Sequence, residues 1–224
     1  MRQRPTGKVD IRKAEMQQVQ PYRTERGLLK ALDNGGRFYN VFTKAGDNQV
    51  TRAELAAAAG GGSAAKAALF FDMAQVGLGD AARARANRAL GPKASKDYKK
   101  HRPITVRPSE VDAGGKNEQG VIVQGVPRFL RDKSQFTGMM MLPISTGTVT
   151  TFMMIPLYDQ FDVYEVFDDR RMRRPCCVVA TTRGIEFAAN QPVRFAGILK
   201  KMEAEKDTER RHRFYLEAHY YTRA

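Results

Sequence analysis

Apolar residues recur with two different periods along this chain. Over residues 24–91 they return three and four positions apart, which is the period of an amphipathic helix. Thr24 and Ser63 can each cap the start of a helix, and the glycine run at 60–62 ends the helix before it. We therefore predict several short helices in this part of the chain.

From Gln119 onward the apolar period becomes two, which is typical of strands with one buried face. Short breakers rich in Gly, Pro, Asp and Asn separate candidate strands at 120–126, 138–142, 148–155, 161–167, 175–181, 191–199 and 213–221. In the last strand, the residues predicted to face the core are Phe214, Leu216, Ala218 and Tyr220. A small barrel is favoured over a sandwich because the segment is too short for two full sheets.

Two polar segments divide the chain into predicted domains. Residues 1–22 are basic and Gln-rich, which is typical of a flexible arm. Residues 93–118 are rich in Lys, Pro and Gly, which predicts a linker that carries one short strand at 104–106. The predicted fold is therefore α+β: a small helical domain at 23–92, followed by a mostly antiparallel β-barrel at 119–224.

The segment FYNVFTKAGDNQVTRAEL at 38–55 combines an apolar helix end, a twelve-residue loop and a new helix start, and it resembles an EF-hand. That family places calcium-binding oxygens at loop positions 1, 3, 5 and 12. Here those positions hold Thr43, Ala45, Asp47 and Glu54, so only two carboxylates remain. Thr51 and Glu54 also form a T-x-x-E capping box, which explains Glu54 without a metal. We expect a metal-free helix-loop-helix, with Asp47 and Glu54 as its only candidate ligands.

The segments GVIVQGVPRF and QPVRFAGILKK, with the closing strand FYLEAHYY, resemble strands of an OB-type barrel. The resemblance implies that Gly125 lies where the opening strand bends around the barrel corner. It also implies a face that binds oligonucleotides or oligosaccharides. Barrels of this shape bind proteins as well, so the resemblance leaves the ligand open.

The charge of the chain narrows the class of partner. The formal net charge is +14 and the sequence pI is about 10.0, which favours a polyanion such as RNA or DNA. No run of eighteen apolar residues is present, so no membrane span is predicted. The N-terminal residues lack the apolar core of a secretory signal, so we expect a cytoplasmic location by default.

Two groups of side chains are candidates for contact with nucleic acid. Cations can meet phosphates while aromatic rings stack on bases. The first group lies on one predicted face of the final hairpin: Arg194, Lys200, Arg213, Tyr215, His219 and Tyr221. The second is a basic turn made of Arg170, Arg171, Arg173 and Arg174. The alternative interpretation of both groups is an ordinary solvated surface.

Methionines are concentrated on two predicted strands, at 139–141 and at 153–154. Methionine fills irregular gaps and also lines adaptable binding surfaces. Consecutive methionines cannot all face one core, so either the strands are covered on both faces, with packing against the helical domain favoured, or one face docks a partner. This pattern supports an alternative function, a structural or assembly subunit that binds protein or itself through these strands.

Residues that would indicate an enzyme or a cofactor form no recognisable motif. The two cysteines, Cys176 and Cys177, are adjacent and show no zinc-type spacing or disulfide framework. The histidines, His101, His212 and His219, show no sequence pattern of nucleophile, base and orienting residue. We therefore predict a non-enzymatic binding protein without a cofactor.

Overall fold

The helices occupy the first half of the fold. The computed structural model describes residues 16–34, 46–146, 149–173, 176–202 and 212–223, with 131–146 and 149–160 described through their backbone pairing. Within these residues the helices are α1 (Glu25–Leu32), α2 (Arg52–Ala58), α3 (Ala64–Ala74), α4 (Asp80–Arg88), α5 (Pro92–His101) and α6 (Val111–Gly114). In the described part of the chain, no helix has the length and apolar character needed to cross a membrane.

Local capping explains where the first three helices begin. The Thr24 hydroxyl accepts the backbone N–H of Gly27, and the Ser63 hydroxyl accepts that of Lys66. At α2 the predicted capping box is present, because Thr51 and Glu54 each accept a hydrogen bond from the other's backbone. These predicted helix starts are confirmed, and each satisfies backbone donors that a helix start leaves without partners.

Parts of the predicted arm and linker are folded. Strand β1 (Gln17–Gln18) pairs with the last strand of the chain, and the preceding Met16 is buried. Within 93–118 the chain forms most of α5, the predicted strand β2 (Ile104–Val106) and α6. The ring of Tyr98 on α5 packs edge-on against Phe71 on α3, with ring centroids 5.3 Å apart. The domain boundaries themselves stay a prediction.

Five strands close into a barrel. They are β3 (Gly120–Thr146), β4 (Val149–Phe167), β5 (Cys177–Thr182), β6 (Val193–Lys201) and β7 (Phe214–Arg223). Strand β3 pairs with both β4 and β6, β4 pairs with β5, and β7 joins β5 to β6. All of these pairings are antiparallel except β5 with β7, which is parallel. The predicted mixed α+β architecture with a β-barrel is therefore confirmed.

Strands β3 and β4 are each longer than the sequence pattern predicts. Each joins two predicted strands across a proline, and together they form one long hairpin. Pro127 follows Gly125, the last residue of β3 paired with β6, and Pro156 precedes Phe161, the first residue of β4 paired with β5. Both prolines therefore lie where their strand has a partner on one side only, and such edge positions tolerate the missing N–H.

The helices pack directly on the barrel. One core cluster fills the barrel interior and includes Phe195, Leu199 and Leu216. A second cluster joins the helices to the outer surface of the barrel, where Ile122, Ala196 and Tyr220 belong to the same cluster as the helical residues. Burial of this second cluster fixes the helices against β3, β6 and β7.

A β-bulge changes which residues of β7 face the barrel interior. The register between β6 and β7 shifts from Gly197 paired with Ala218 to Ala196 paired with Tyr220, so His219 is an extra residue. The extra residue reverses the alternation of faces beyond it. Phe214, Leu216 and Ala218 face the barrel core as predicted, but Tyr220 packs toward the helices and Tyr221 lies in the barrel core.

Candidate functional site

The structure brings together three residues of the predicted hairpin face. Lys200 on β6 lies directly opposite Tyr215 on β7, and exposed Arg213 immediately precedes β7. The Lys200 ammonium contacts the two carboxylate oxygens of Glu118 at 2.8 and 3.0 Å. That hydrogen-bonded contact raises the pKa of Lys200. The guanidinium of Arg213 lies 5.5 Å from the ring centroid of Phe214.

The other members of this predicted group lie elsewhere. Arg194 is at the opposite end of β6, where it contacts Gln124, and burial lowers its pKa, with Arg83 adding to the effect. His219 is only 9% exposed and lies at the bulge. Tyr221 packs in the barrel core, so the prediction that His219 and Tyr221 share an exposed face is wrong. The predicted face therefore reduces to Lys200, Arg213 and Tyr215.

The basic turn between β4 and β5 presents exposed cations. Arg170, Arg171 and Arg173 are all exposed, while Arg174 lies outside the described residues. The turn is anchored at its start, because the Asp168 carboxylate accepts the backbone N–H and the hydroxyl of Ser109 at 3.0 and 2.6 Å. An anchored backbone with outward cations can contact phosphates without ordering the whole turn on binding.

The candidate calcium ligands serve the local backbone. The Glu54 side chain is fully buried and accepts the Thr51 N–H and hydroxyl, each at 2.8 Å. Asp47 accepts the backbone N–H of Gln49. Thr43 and Ala45 lie outside the described residues. A carboxylate that the sequence analysis did not single out, Asp33, accepts the N–H groups of Gly46 and Asn48 at 2.8 and 2.7 Å and so holds the end of the loop.

An exposed aromatic ring at the barrel rim was missed by the sequence analysis. Phe129 on β3 is 42% exposed and packs edge-on against Tyr164 on β4, with ring centroids 5.5 Å apart. Tyr164 contacts Phe187, which in turn contacts Phe195 in the barrel core. Burial raises the pKa of Tyr164 to about 12, with Asp162 and Glu186 adding to the effect. The exposed ring is therefore supported by a continuous series of aromatic contacts.

The neighbours of Phe129 make this rim both apolar and cationic. Leu130 is 46% exposed, and the register with β4 shifts between Phe129 and Arg131, so Leu130 is an unpaired bulge residue. On the other side, the half-exposed Arg128 lies over the ring of Phe167 at 5.0 Å and forms an ion pair with Glu165. The only sequence signal was an apolar pair, FL, following a proline in a predicted break between strands.

A second group of residues has the chemistry of a metal site. A carboxylate oxygen of Glu165, the sulfur of Cys176 and a ring nitrogen of His212 all lie within 4.8 Å of one another. His212 Nδ1 is 2.7 Å from an oxygen of Asp112. The neighbouring Cys177 is buried, and burial raises the pKa of its thiol. The group was not recognisable in the sequence because its members lie in three separate segments without a known metal-ligand spacing.

A pocket of about 270 Å³ lies between α2, α3 and α5, away from both groups. Alanine side chains form much of its wall, and its charged residues are Arg52 and Asp97, which pair with each other.

No protein-family model matches this chain, and no curated protein matches it. The geometry of the described residues is therefore the basis for assigning a function.

Proposed function

We propose that this chain is a non-enzymatic protein that binds single-stranded nucleic acid, RNA or DNA, through an OB-type barrel. The strand connectivity supports this assignment. The opening strand of the barrel is long and pairs with both the second and the fourth strands, and the third and fifth strands close the barrel in parallel. OB folds are five-stranded Greek-key barrels, and many of them bind oligonucleotides.

The close approach at Gly125 also supports the OB assignment. A Cβ atom placed there would lie 2.2 Å from the carbonyl oxygen of Phe167 and 2.8 Å from Val166. Only glycine therefore allows β3 to approach β4 this closely at Gly125, which is also the last residue of β3 that pairs with β6. A glycine at such a barrel corner lets one strand contribute to both sides of the barrel.

The observation that carries the proposal is the exposed ring of Phe129 beside cationic groups at the barrel rim. Any of the bases can stack on an aromatic ring, so this contact does not depend on the nucleotide sequence. It contributes about 1–3 kcal/mol per base. Two adjacent large apolar side chains, Phe129 and Leu130, are exposed here, and contiguous exposed apolar surface often marks a binding site. Arg128, which immediately precedes Phe129 in the chain, keeps about half of its side chain exposed while it forms its ion pair with Glu165.

The basic turn supplies the long-range electrostatic attraction. It begins directly after β4, and the strand from Tyr164 to Phe167 covers about 10 Å. The exposed ring and the exposed arginines Arg170, Arg171 and Arg173 thus lie toward opposite ends of the same short stretch of β4. A strand of a few nucleotides spans such a distance, and OB-type sites cover about 4–16 nucleotides. The net charge of +14 has the sign required for this ligand.

A salt titration of binding to a fluorescein-labelled single strand tests the proposal. For single strands the slope of log K against log salt is about −0.7 per neutralised phosphate. The triple variant Arg170→Gln, Arg171→Gln, Arg173→Gln should therefore make this slope shallower by about 2 units. Phe129→Ala should weaken binding by about 1–3 kcal/mol at an unchanged slope, because it removes stacking and no charge.

Each variant has a matched control. Lys93→Gln, Lys96→Gln, Lys100→Gln removes the same charge from exposed positions on α5. Ile104→Ala removes an exposed apolar side chain from β2. Equal effects of the two triple variants would show that only the overall charge matters. Equal affinity of Phe129→Ala and Ile104→Ala for the single strand would exclude stacking on Phe129. Binding that is insensitive to salt would reject the proposal.

The long hairpin of β3 and β4 favours a second candidate, a structural or assembly subunit. Backbone pairing continues without interruption from Gly138 opposite Leu157 to Thr146 opposite Val149, beyond the residues of β4 that pair with β5. This part of the hairpin, residues 138–157, contains all five methionines of the predicted docking strands. Light scattering of the intact chain and of a variant with residues 138–157 replaced by a Gly-Ser turn tests this candidate. Self-association that requires residues 138–157 supports this candidate. A strict monomer rejects self-assembly through the hairpin.

The helical region contributes to the second candidate as a metal-free module that resembles an EF-hand. The helix end expected at 38–42 lies outside the described residues. Within them, the interpretation is supported by the start of α2 at the predicted capping box and by the use of Glu54 as a capping residue. Val50, at the loop position that pairs hands in that family, forms a parallel bridge with Leu90 of the same chain. The backbone of Val50 is thus already paired within its own chain. We therefore assign association between copies to the β3–β4 hairpin.

A further inference from the structure

Three separate segments of the chain converge at one end of the barrel. Glu165 lies near the end of β4, Cys176 immediately precedes β5, and His212 lies just before β7. Their carboxylate oxygen, sulfur and ring nitrogen lie within 4.8 Å of one another, and Glu165 and Cys176 are buried. Ligands that surround a tetrahedral ion at about 2.0–2.3 Å are about 3.3–3.8 Å apart. The group therefore needs to contract by at most about 1.5 Å to hold an ion.

The imidazole of His212 is held in the orientation that a metal ligand requires. Asp112 Oδ1 accepts the backbone N–H groups of Arg213 and Phe214 at 2.9 and 3.2 Å, which fixes the carboxylate. Asp112 Oδ2 lies 2.7 Å from His212 Nδ1. Because an ionised carboxylate can only accept, the neutral imidazole that a metal requires would carry its proton on Nδ1 and present a lone pair on Nε2.

His212 Nε2 is the atom that calls for a ligand. It is buried, and among the described residues it has no hydrogen-bond partner. A buried acceptor without a partner costs free energy, so an occupied site explains it better than an empty one. A carboxylate on the remote nitrogen of a histidine is also the usual support of a histidine bound to a metal.

Glu165 has a corresponding support. Arg128 forms an ion pair with one of its carboxylate oxygens. Ligating carboxylates are commonly held by a second residue in this way, which orients the oxygen that binds the metal. A second side chain thus orients each of these two candidate ligands: Asp112 orients His212, and Arg128 orients Glu165.

We propose that Glu165, Cys176 and His212 bind one zinc ion, with Asp112 as a positioning residue. A donor set of one sulfur, one nitrogen and one oxygen suits zinc, whereas magnesium and calcium require oxygen donors. The dication also offsets the negative charge of a buried thiolate and carboxylate. The bound ion ties β4 to the starts of β5 and β7, and so stabilises the closed end of the barrel.

Metal titration of the full chain tests the proposal. The protein is stripped with a chelator and dialysed, and zinc is then added in competition with a chromophoric chelator. We expect one equivalent of zinc per chain and a melting temperature that rises with zinc and falls again on chelation. With cobalt as a probe, we expect a sulfur-to-metal charge-transfer band, because one ligand is a thiolate.

Substitutions assign the ligands. Cys176→Ser should abolish the cobalt charge-transfer band and, like His212→Gln, should weaken zinc binding at least about 100-fold. Asp112→Asn should weaken binding about 10–100-fold and keep the band, because it acts through the histidine. The control is Cys177→Ser, which removes the adjacent thiol and should retain both the band and the affinity.

Three results would overturn the assignment. The first is a wild-type chain that binds no zinc at micromolar concentration. The second is a wild-type cobalt complex without a thiolate band, which decides the question even if a variant fails to fold. The third is a band that persists in Cys176→Ser and is lost in Cys177→Ser. None of these measurements depends on nucleic-acid binding.

Discussion

The hydroxyl of Tyr220 links the barrel to the helices, and Tyr220→Phe tests that link. The hydroxyl donates to the carbonyl oxygen of Ala59 at 2.7 Å, and both residues are buried. Phenylalanine keeps the ring and its edge contact with Phe70, whose centroid is 5.8 Å away. The substitution therefore removes one hydrogen bond and leaves the packing in place.

The size of the effect follows from the carbonyl that remains. Removing the donor leaves the Ala59 oxygen buried without this partner, which costs about 1–3 kcal/mol. We expect the free energy of unfolding to fall by about 2 kcal/mol, which for a chain of this size lowers the melting temperature by about 4–8 °C. Urea unfolding should show a lower midpoint at an unchanged slope, because the surface exposed on unfolding is the same.

The matched control is Tyr221→Phe. Its hydroxyl makes a longer, partly buried contact of 3.3 Å with the side chain of Gln18, so we expect a loss of about 0.5–1 kcal/mol. The order of the two effects tests the bulge at His219, because an uninterrupted strand would place Tyr220 in the barrel core and Tyr221 outside. A Tyr221→Phe loss larger than that of Tyr220→Phe would refute the assignment of faces.

Three further predictions concern single residues. Gly125→Ala should destabilise the fold by about 1–3 kcal/mol in urea unfolding, because the new Cβ meets the Phe167 oxygen at 2.2 Å; a change below about 0.5 kcal/mol would contradict that contact. Glu54→Ala should cost about 1–2 kcal/mol and Glu54→Gln clearly less, since Gln still accepts from Thr51; equal melting temperatures would exclude the capping role. Burial raises the pKa of Asp72, so native Asp72 binds its proton at a higher pH than the unfolded chain, and its contribution to stability falls as pH rises from 3.8 through its native pKa. Asp72→Asn should therefore be more stable relative to wild type above this window than below it, and a pH-independent difference between their unfolding curves would show that Asp72 is not perturbed.

The helices could be predicted because their signals are local. Thr24, Thr51 and Ser63 each act as the N-cap expected from the sequence, since a cap depends on residues only three positions away. The sequence of α5 predicts a linker because its exposed surface is rich in lysine, and the buried Ala94 and Tyr98 are too few to show a clear period. Its stability comes from packing against α3, which no local pattern encodes.

The barrel was predictable as a class, and its strand boundaries were less so. Alternation identified the chain segments that form β3 to β7, because one face of each paired segment fills the interior. The sequence pattern predicts breaks at Pro127 and Pro156, but both prolines lie inside strands. A proline breaks a strand only where both edges are paired, and the number of paired edges is a property of the closed sheet.

The candidate functional residues were hardest to predict because their positions depend on closure of the barrel and on β-bulges of one residue. One extra residue at His219 moves Tyr221 into the core and so removes it from the exposed face. Another at Leu130 marks the place where Phe129 remains exposed. The cysteine, glutamate and histidine of the proposed zinc site meet only after β4, β5 and β7 have paired around the barrel. An isolated Cys-Cys pair and scattered histidines carry no spacing signal, so a ligand set of this kind becomes visible only when the sheet is closed.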